Sequence, residues 1–252
     1  MNFCLMLTEI IKRNEKWLKI NLITSFSKFL FSVFFLFISY TGYSQTNFTG
    51  YINPEISINI SNESPWSHSF GIANRDIVYT DYENVNDFNK ELDFQYKFLE
   101  LNHYTSRQIG FHSKVSAGIR YRFEDGKNET RIIEQYAYSK KIGRIKIAHR
   151  LRLAQRYREI TTFRTRYRFS AEFPLQGDKV NPKEFSLVAS TEAVWEMGKK
   201  ERPNLGQRFA AQITYRLFEN TRLNLGLEYR HRDYTHSPYV EVFLLSGLKI
   251  SL

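Results

Sequence analysis

The chain has one cysteine among 252 residues, Cys4, close to its N-terminus. A disulfide framework, a thiol nucleophile or a Cys-based zinc site needs thiols elsewhere, so none is expected. Long apolar runs are also lacking. The longest, Phe29 to Ile38 (FLFSVFFLFI), is about ten residues, against the roughly 20 that a spanning helix requires. No His-Glu-x-x-His, Gly-x-Ser-x-Gly or phosphate-binding glycine loop occurs, which removes the usual motif grounds for a zinc protease, a serine hydrolase or a nucleotide site. The mean hydropathy of −0.45 argues against helical membrane spans. It does not argue against a barrel, whose strands are apolar on one face only.

The short apolar run has a clear use. Lys12, Arg13, Lys16, Lys19 and Lys28 precede it, and Gly42-Tyr43-Ser44 follows it, with small residues three and one places before Gln45. Charged, apolar, small-residue is the order of a secretory signal. The expected division is a signal peptide over 1–44, cleaved after Ser44, and one barrel domain over 45–252. No cysteine stands at the cleavage point to carry a lipid anchor. Residues 1–44 hold five Lys/Arg and two Glu, so of the net +10 about +7 remains on the exported part. Its basic residues are strung along strands, not clustered in a tail, and export takes the chain away from nucleic acid, so nucleic acid is not an expected partner.

From Arg144 to Phe173 the chain alternates with a period of two. Ile145, Ile147, His149, Leu151, Leu153, Gln155 and Tyr157 form one set; Lys146, Ala148, Arg150, Arg152, Ala154 and Arg156 form the other. After a break at 159–161, Phe163, Thr165, Tyr167, Phe169 and Ala171 alternate with Arg164, Arg166, Arg168, Ser170 and Glu172. Period two places the sets on opposite faces of a strand, whereas a helix would scatter the arginines all round. Each run exceeds the usual strand of about 5–6 residues and suits a membrane strand of about 9–11.

Similar alternation recurs along the chain. Strands are expected at 48–60, 66–79, 94–104, 111–123, 130–140, 144–158, 163–173, 184–196, 208–217, 222–230 and 239–252. Polar loops are expected at 80–92, 124–129, 197–204 and 231–238 on the extracellular side, with turns at 105–109, 141–143 and 219–220 on the periplasmic side. An odd number of strands cannot close antiparallel. Pro54 lacks an N–H, which marks its strand as an edge or as lying outside the wall. The fold class is therefore all-β, an antiparallel up-and-down transmembrane β-barrel of about 10–12 strands.

Alternation alone does not say which face is inside. The signal, the strand lengths and the mixed charge of the polar face favour an inward polar face and an outward apolar one. Arg120, Arg122, Arg150, Arg152, Arg156, Arg164, Arg166, Arg168, Arg208, Arg216, Arg230 and Arg232 are then expected to line the lumen. Glu172, Glu192, Glu196 and Glu228 face them, with Glu184 and Glu241 also expected to serve as partners across the barrel, because unpaired buried arginines are very costly.

The segments GIRYRF (118–123), EQYAY (134–138), HRLRLAQR (149–156), TFRTRYRFS (162–170), PL (174–175) and QRF (207–209) resemble a family of Gram-negative envelope proteins known as domain of unknown function 2490. Gly206 stands where that pattern has an Asp. The resemblance covers about Ser57 to Leu252 and implies an outer-membrane-like barrel without an assigned activity.

Ser67-His68-Ser69, His112-Ser113 and His236-Ser237 are similar to the His/Ser pairing of outer-membrane phospholipases, but dipeptides of this kind are common and the accompanying Asn-Gly signature is missing. His149, among apolar positions, fits an interfacial belt better than a metal site. Glu192 and Glu196 fit salt-bridge partners better than an acid/base pair. No catalytic, cofactor or metal residues are assigned. The expectation is an outer-membrane structural or interaction barrel with a charged, largely filled lumen and membrane lipid as partner. The alternatives are a narrow pore for small anions and a lipid-modifying enzyme. N-terminal sequencing of the membrane-extracted protein should begin at Gln45; a mature chain that retains the 29–38 run contradicts the signal assignment.

Overall fold

Strands of 12 to 16 residues form the wall, in the order β1 Asn47–Ser61, β2 Trp66–Asp81, β3 Gln95–Gln108, β4 Ser113–Glu124, β5 Glu129–Ile142, β6 Ile145–Tyr157, β7 Thr162–Pro174, β8 Phe185–Gly198, β9 Glu201–Arg216, β10 Thr221–Arg232 and β11 Tyr239–Ser251. This computed structural model describes residues 47–61, 64–81, 94–198 and 201–252. The expected signal peptide and nearly all of the 80–92 loop lie outside the described residues. Even a 12-residue strand, at about 3.3 Å per residue, is about 40 Å long; tilted by about 40° it rises about 30 Å, enough for a barrel's apolar band.

Consecutive strands pair antiparallel from β1 to β11, and β1 then closes the barrel against β11. The closing pair is parallel, in register from Asn47↔Tyr239 to Asn59↔Ser251. Eleven strands thus close after all, because the last strand runs the same way as the first. The seam is secured where the chain ends: Leu252 N–H donates to the Asn59 carbonyl at 2.7 Å and Ser61 N–H to the Leu252 carbonyl at 2.9 Å.

The strand that carries Pro54 is part of the wall, paired on both sides. Pro54 stands opposite Ser246 of β11, while neither Asn53 nor Pro54 has a partner in the β2 register, which resumes at Glu55↔Ala73. A local interruption on one side accommodates the missing N–H without expelling the strand.

Two other expectations need correction. β3 continues through the presumed turn at 105–109 to Gln108, and β8 and β9 run through most of the presumed 197–204 loop, with Gly198 opposite Glu201. The long connection at 175–184 lies at the same end as the expected tight turns. Among those, the β5–β6 turn is two residues, opened by Gly143 at φ +58°, as Gly-X hairpins demand.

The faces are inverted relative to a soluble protein. Leu151, Leu153, Phe163, Tyr167, Phe209, Leu225 and Leu227 are exposed, whereas the buried apolar residues are Ala73, Phe98, Ile133, Ala154, Val194 and Phe243. Aromatic pairs lie toward both ends of the outer wall, Phe48–Tyr79 and Tyr121–Phe123 toward one and Phe185–Tyr215 toward the other, as interfacial girdles do.

The parallel seam can be tested with cysteines at Asn59 and Ser251, directly opposite across it, where Cβ atoms of neighbouring strands are about 4.5–5.5 Å apart. The N59C/S251C protein should form an intramolecular disulfide on mild oxidation, seen as a gel-mobility change reversed by reductant. Absence of the crosslink in the folded protein contradicts the seam.

Candidate functional site: the arginine girdle of the lumen

Period-two alternation sends each polar set into the barrel, where the wall holds guanidinium and carboxylate groups at mid-depth. Glu100 meets Arg120 at 3.0 Å and Arg122 at 2.8 Å. Arg122 also lies 3.9 Å from Glu129, which Arg131, Arg156 and Arg158 contact as well. Arg156 passes from Glu129 to Glu196, which is shared with Arg164. A second chain starts at Glu192, contacted by Arg150 at 3.3 Å, Arg166 at 3.7 Å, Arg168 at 2.8 Å and Arg208 at 3.2 Å. Arg168 reaches on to Glu228, Arg230 joins Glu228 to Glu241, and Arg232 completes the run at 2.6 Å from Glu241. Arg158 also extends the first chain to Glu124 at 2.5 Å, so that chain has four glutamates and six arginines, and the second has three glutamates and six arginines.

The two chains are joined without carboxylates. Arg122 lies over the Phe98 ring at 3.7 Å, Arg75 over both Phe98 and Phe243 at 4.6 Å, and Arg230 over Phe243 at 3.7 Å. Arg75 has no ion-pair partner among the described residues; it donates from Nε and Nη2 to Asn53 Oδ1 at 2.9 and 2.7 Å. Three ring faces, counting Tyr51 at 5.8 Å, and one amide oxygen thus hold a half-buried cation. Phe243 is fully buried, with Tyr51 stacked on it at 4.6 Å.

Glycine shapes one further position. Tyr104 stands opposite Gly118, and a Cβ on Gly118 would come 2.3 Å from the Tyr104 ring and 2.5 Å from the His103 carbonyl. The bare backbone lets the ring lie across it, with Tyr104 hydroxyl accepting from Arg120 at 3.3 Å and the ring 5.7 Å beneath Arg152. Arg152 itself donates to Gln135 Oε1 at 3.0 and 2.7 Å.

The sixteen residues assigned to the lumen from the sequence do not all meet. Arg120, Arg122, Arg150, Arg156, Arg164, Arg166, Arg168, Arg208, Arg230 and Arg232 lie in the two chains with Glu192, Glu196 and Glu228, and Arg152 lies beside them. Glu172 is nearer one mouth, accepting from Ser186 Oγ at 3.0 Å and lying 3.7 Å from Arg222. Arg216 is at that rim and donates to the Val180 and Glu219 carbonyls. Glu184, also expected among the acids, is in the 175–184 connection and accepts from Asn181 N–H at 2.7 Å.

Sequence reasoning missed Glu100, Glu129, Arg131 and Arg75. Glu129 falls in the expected loop at 124–129 yet opens β5, and the period of two is blurred in the sequence of β3, which has apolar residues on both faces. With β3 extended, Phe98, Glu100, Asn102, Tyr104 and Ser106 form one inward row.

The His/Ser dipeptides are pulled apart by the same alternation. His68 contacts the Thr105 hydroxyl at 3.1 Å on one face, while Ser67 on the other accepts from Lys114 at 2.8 Å. Ser113 pairs with the Tyr136 hydroxyl and His236 with Asp233. His149 contacts the Tyr167 hydroxyl at 2.7 Å amid Tyr138 and Phe169. Among the described residues, no three His, Cys, Asp or Glu side chains gather as metal ligands do.

The family described as "Protein of unknown function (DUF2490)" matches residues 43–241. The chain belongs to that family. No curated protein matches it. Among solved structures it is similar to a loop L8 deletion mutant of OmpT, an outer membrane protein of Vibrio cholerae, with 13% identity and a TM-score of 0.39 over 69% of this chain and 59% of that one. It is also similar to the outer-membrane expressed OmpT of Vibrio cholerae, with 10% identity and a TM-score of 0.37 over 73% and 86% of the respective chains. The chain thus spans 59% of the length of the first of these. In this family member the lumen is a charged girdle in which buried Glu192, like Glu129, is contacted by four arginines.

Removing that charge leaves four arginines facing one another in a low-dielectric space. Glu192→Gln should therefore destabilise the barrel by about 3–5 kcal/mol, the cost of breaking a buried ion-pair group from one side. Urea titration followed by heat-modifiable gel mobility measures it, and Arg166→Met added to E192Q should recover part of the loss. An E192Q midpoint equal to the parent's contradicts this role.

Proposed function

We propose that this protein is an integral outer-membrane barrel, exported through its N-terminal signal, whose lumen is closed at mid-depth by the arginine girdle. Its work as a structural or interaction barrel then falls to the loops. The observation that carries this reading is the burial of the girdle. The side chains of Glu129, Glu192, Arg131, Arg164, Arg166 and Arg208 are between 0% and 9% exposed. A water-filled passage of ion width would leave its lining groups in contact with solvent. The outward apolar face and its aromatic bands support lipid as the barrel's surroundings, because a continuous exposed apolar surface of this kind has no soluble counterpart in a monomer. With the polar connections 125–128 and 233–238 at one end, that end is the extracellular one in this reading.

A second reading, a narrow anion-favouring pore, has its own support in the surplus of twelve arginines over seven glutamates in the two chains, since guanidinium groups offer forked donors to phosphate and carboxylate. Planar-bilayer recording separates the two. The sealed barrel should show no steady conductance, and a steady, ohmic, anion-selective current that Arg166→Glu abolishes or reverses would falsify the seal and establish the pore.

A further inference from the structure

The girdle divides the lumen into two chambers of different charge. The chamber beneath the 233–238 connection has a volume of 520 Å³, and its lining includes Arg156, Arg164 and Arg232 together with Glu196, Asp233 and His236. Its cations are already engaged: Arg156 and Arg164 by Glu196, and Arg232 by Glu241. The chamber at the opposite end, 270 Å³, is lined by Lys146, Arg222 and Lys249 against a single carboxylate, Glu172. Among the described residues, neither Lys146 nor Lys249 lies within ion-pair distance of an acid, and Arg222 reaches Glu172 only at 3.7 Å.

This second chamber is hollow for a reason legible in the strands. Stepping inward from its rim, β6 presents Lys146, Ala148 and Arg150, and β7 presents Glu172, Ser170 and Arg168. Ala148, Ser170, Ser190 and Ala210 stand in direct register on β6 to β9. Four small inward side chains on adjacent strands leave space that the arginines of the next layer would otherwise fill. That next layer is the register row Arg150, Arg168, Glu192 and Arg208, in which Arg150 and Arg168 are directly opposed and each 27% exposed while Arg208 is 9% exposed. Arg150 and Arg168, next to the small residues Ala148 and Ser170, thus retain more accessible surface than Arg208 in the same row.

From this geometry we infer that the chamber is a binding cup for a small multivalent oxyanion, a phosphate or a compact phosphorylated or polycarboxylate solute. It is held at the rim by Lys146, Lys249 and Arg222, with Arg150 and Arg168 as the floor. An oxyanion of this class accepts several charge-assisted hydrogen bonds at once, which two ammonium groups outside ion-pair distance of an acid, together with nearby guanidinium groups, supply. The volume holds a molecule of a few to a dozen heavy atoms, and the chamber is ringed by barrel wall, which favours a solute over a membrane headgroup. The cup goes beyond the sealed-barrel reading but rests on it in one respect: the girdle is its closed floor.

Inorganic phosphate and pyrophosphate, titrated calorimetrically into the full barrel in zwitterionic detergent at low ionic strength, test the assignment. Saturable binding is expected, tighter for pyrophosphate. Lys146→Gln with Lys249→Gln should weaken it about tenfold or more, the worth of a charge-assisted hydrogen bond. Glu172→Gln should strengthen it by removing the carboxylate that lines the chamber. Lys141→Gln, at the same rim but tied to the Asp178 carbonyl at 2.8 Å, should leave it unchanged. If the double variant does not fold, judged by heat-modifiable mobility, the opposite sign expected of Glu172→Gln decides alone. Three results overturn the cup: no saturable binding by the folded parent, affinity indifferent to the Lys146/Lys249 and Glu172 changes, or displacement of phosphate by phosphatidylglycerol vesicles, which assigns the cations to lipid. Phosphate binding by a barrel that conducts would refute the seal and leave the cup standing, whereas a sealed barrel that binds nothing refutes the cup alone.

Discussion

An arginine inside a narrow barrel has no bulk water to solvate it and cannot give up its proton, so it must find a carboxylate, a carbonyl or an aromatic face. That requirement organises the lumen. Glu100, Glu129, Glu192, Glu196, Glu228 and Glu241 are each shared between arginines, and arginines such as Arg122, Arg156, Arg168 and Arg230 are each shared between glutamates. Sharing turns pairwise contacts into continuous chains that tie non-adjacent strands together. Arg168 of β7 reaches Glu228 of β10 across two intervening strands, and Arg156 of β6 reaches Glu196 of β8 across one. Such links hold the cross-section of the barrel in a way that the ladder of neighbouring strands does not.

The outer face follows from the inner one. In a strand, every inward polar residue implies outward neighbours on either side, so a lumen crowded with charge leaves the other set to lipid. Where no acid lies within ion-pair distance among the described residues, at Arg75 of β2, aromatic rings from β3 and β11 take over as partners. Phe98 and Phe243 are among the few buried apolar side chains, and both serve as faces for cations as much as for packing. Side-chain size then sets the depth profile. Large groups fill the middle, and the row from Ala148 to Ala210 opens the lumen again toward one mouth.

Closure places a further constraint. With eleven strands, β1 and β11 must run the same way, so the described chain enters the wall at one end and leaves it at the other. Single-chain bacterial barrels otherwise have even strand numbers. The parallel seam carries thirteen residue pairs and is extended by the Leu252 hydrogen bonds. Pro54 is tolerated within it because the interruption falls on the β2 side of the strand, where the register also shifts between Gly50 and Tyr51.

Much of this was legible in the chain itself. The period of two is a local property of the backbone, so residues 144–173 disclosed a hairpin, two chemically distinct faces and a strand length suited to a bilayer before any fold was known. Most of the arginines of the girdle could be assigned to one face by counting in twos. What the sequence could not disclose was anything that depends on going round the barrel. Which strand meets β1, which arginine shares Glu192, why Arg75 needs two phenylalanines and why Glu172 lies near the mouth instead of in the girdle all follow from register, tilt and circumference. These are set by the closure of the whole sheet. Alternation says that Arg168 and Glu228 each face the lumen, but only the curved wall brings β7 and β10 near enough for their charges to lie 3.9 Å apart.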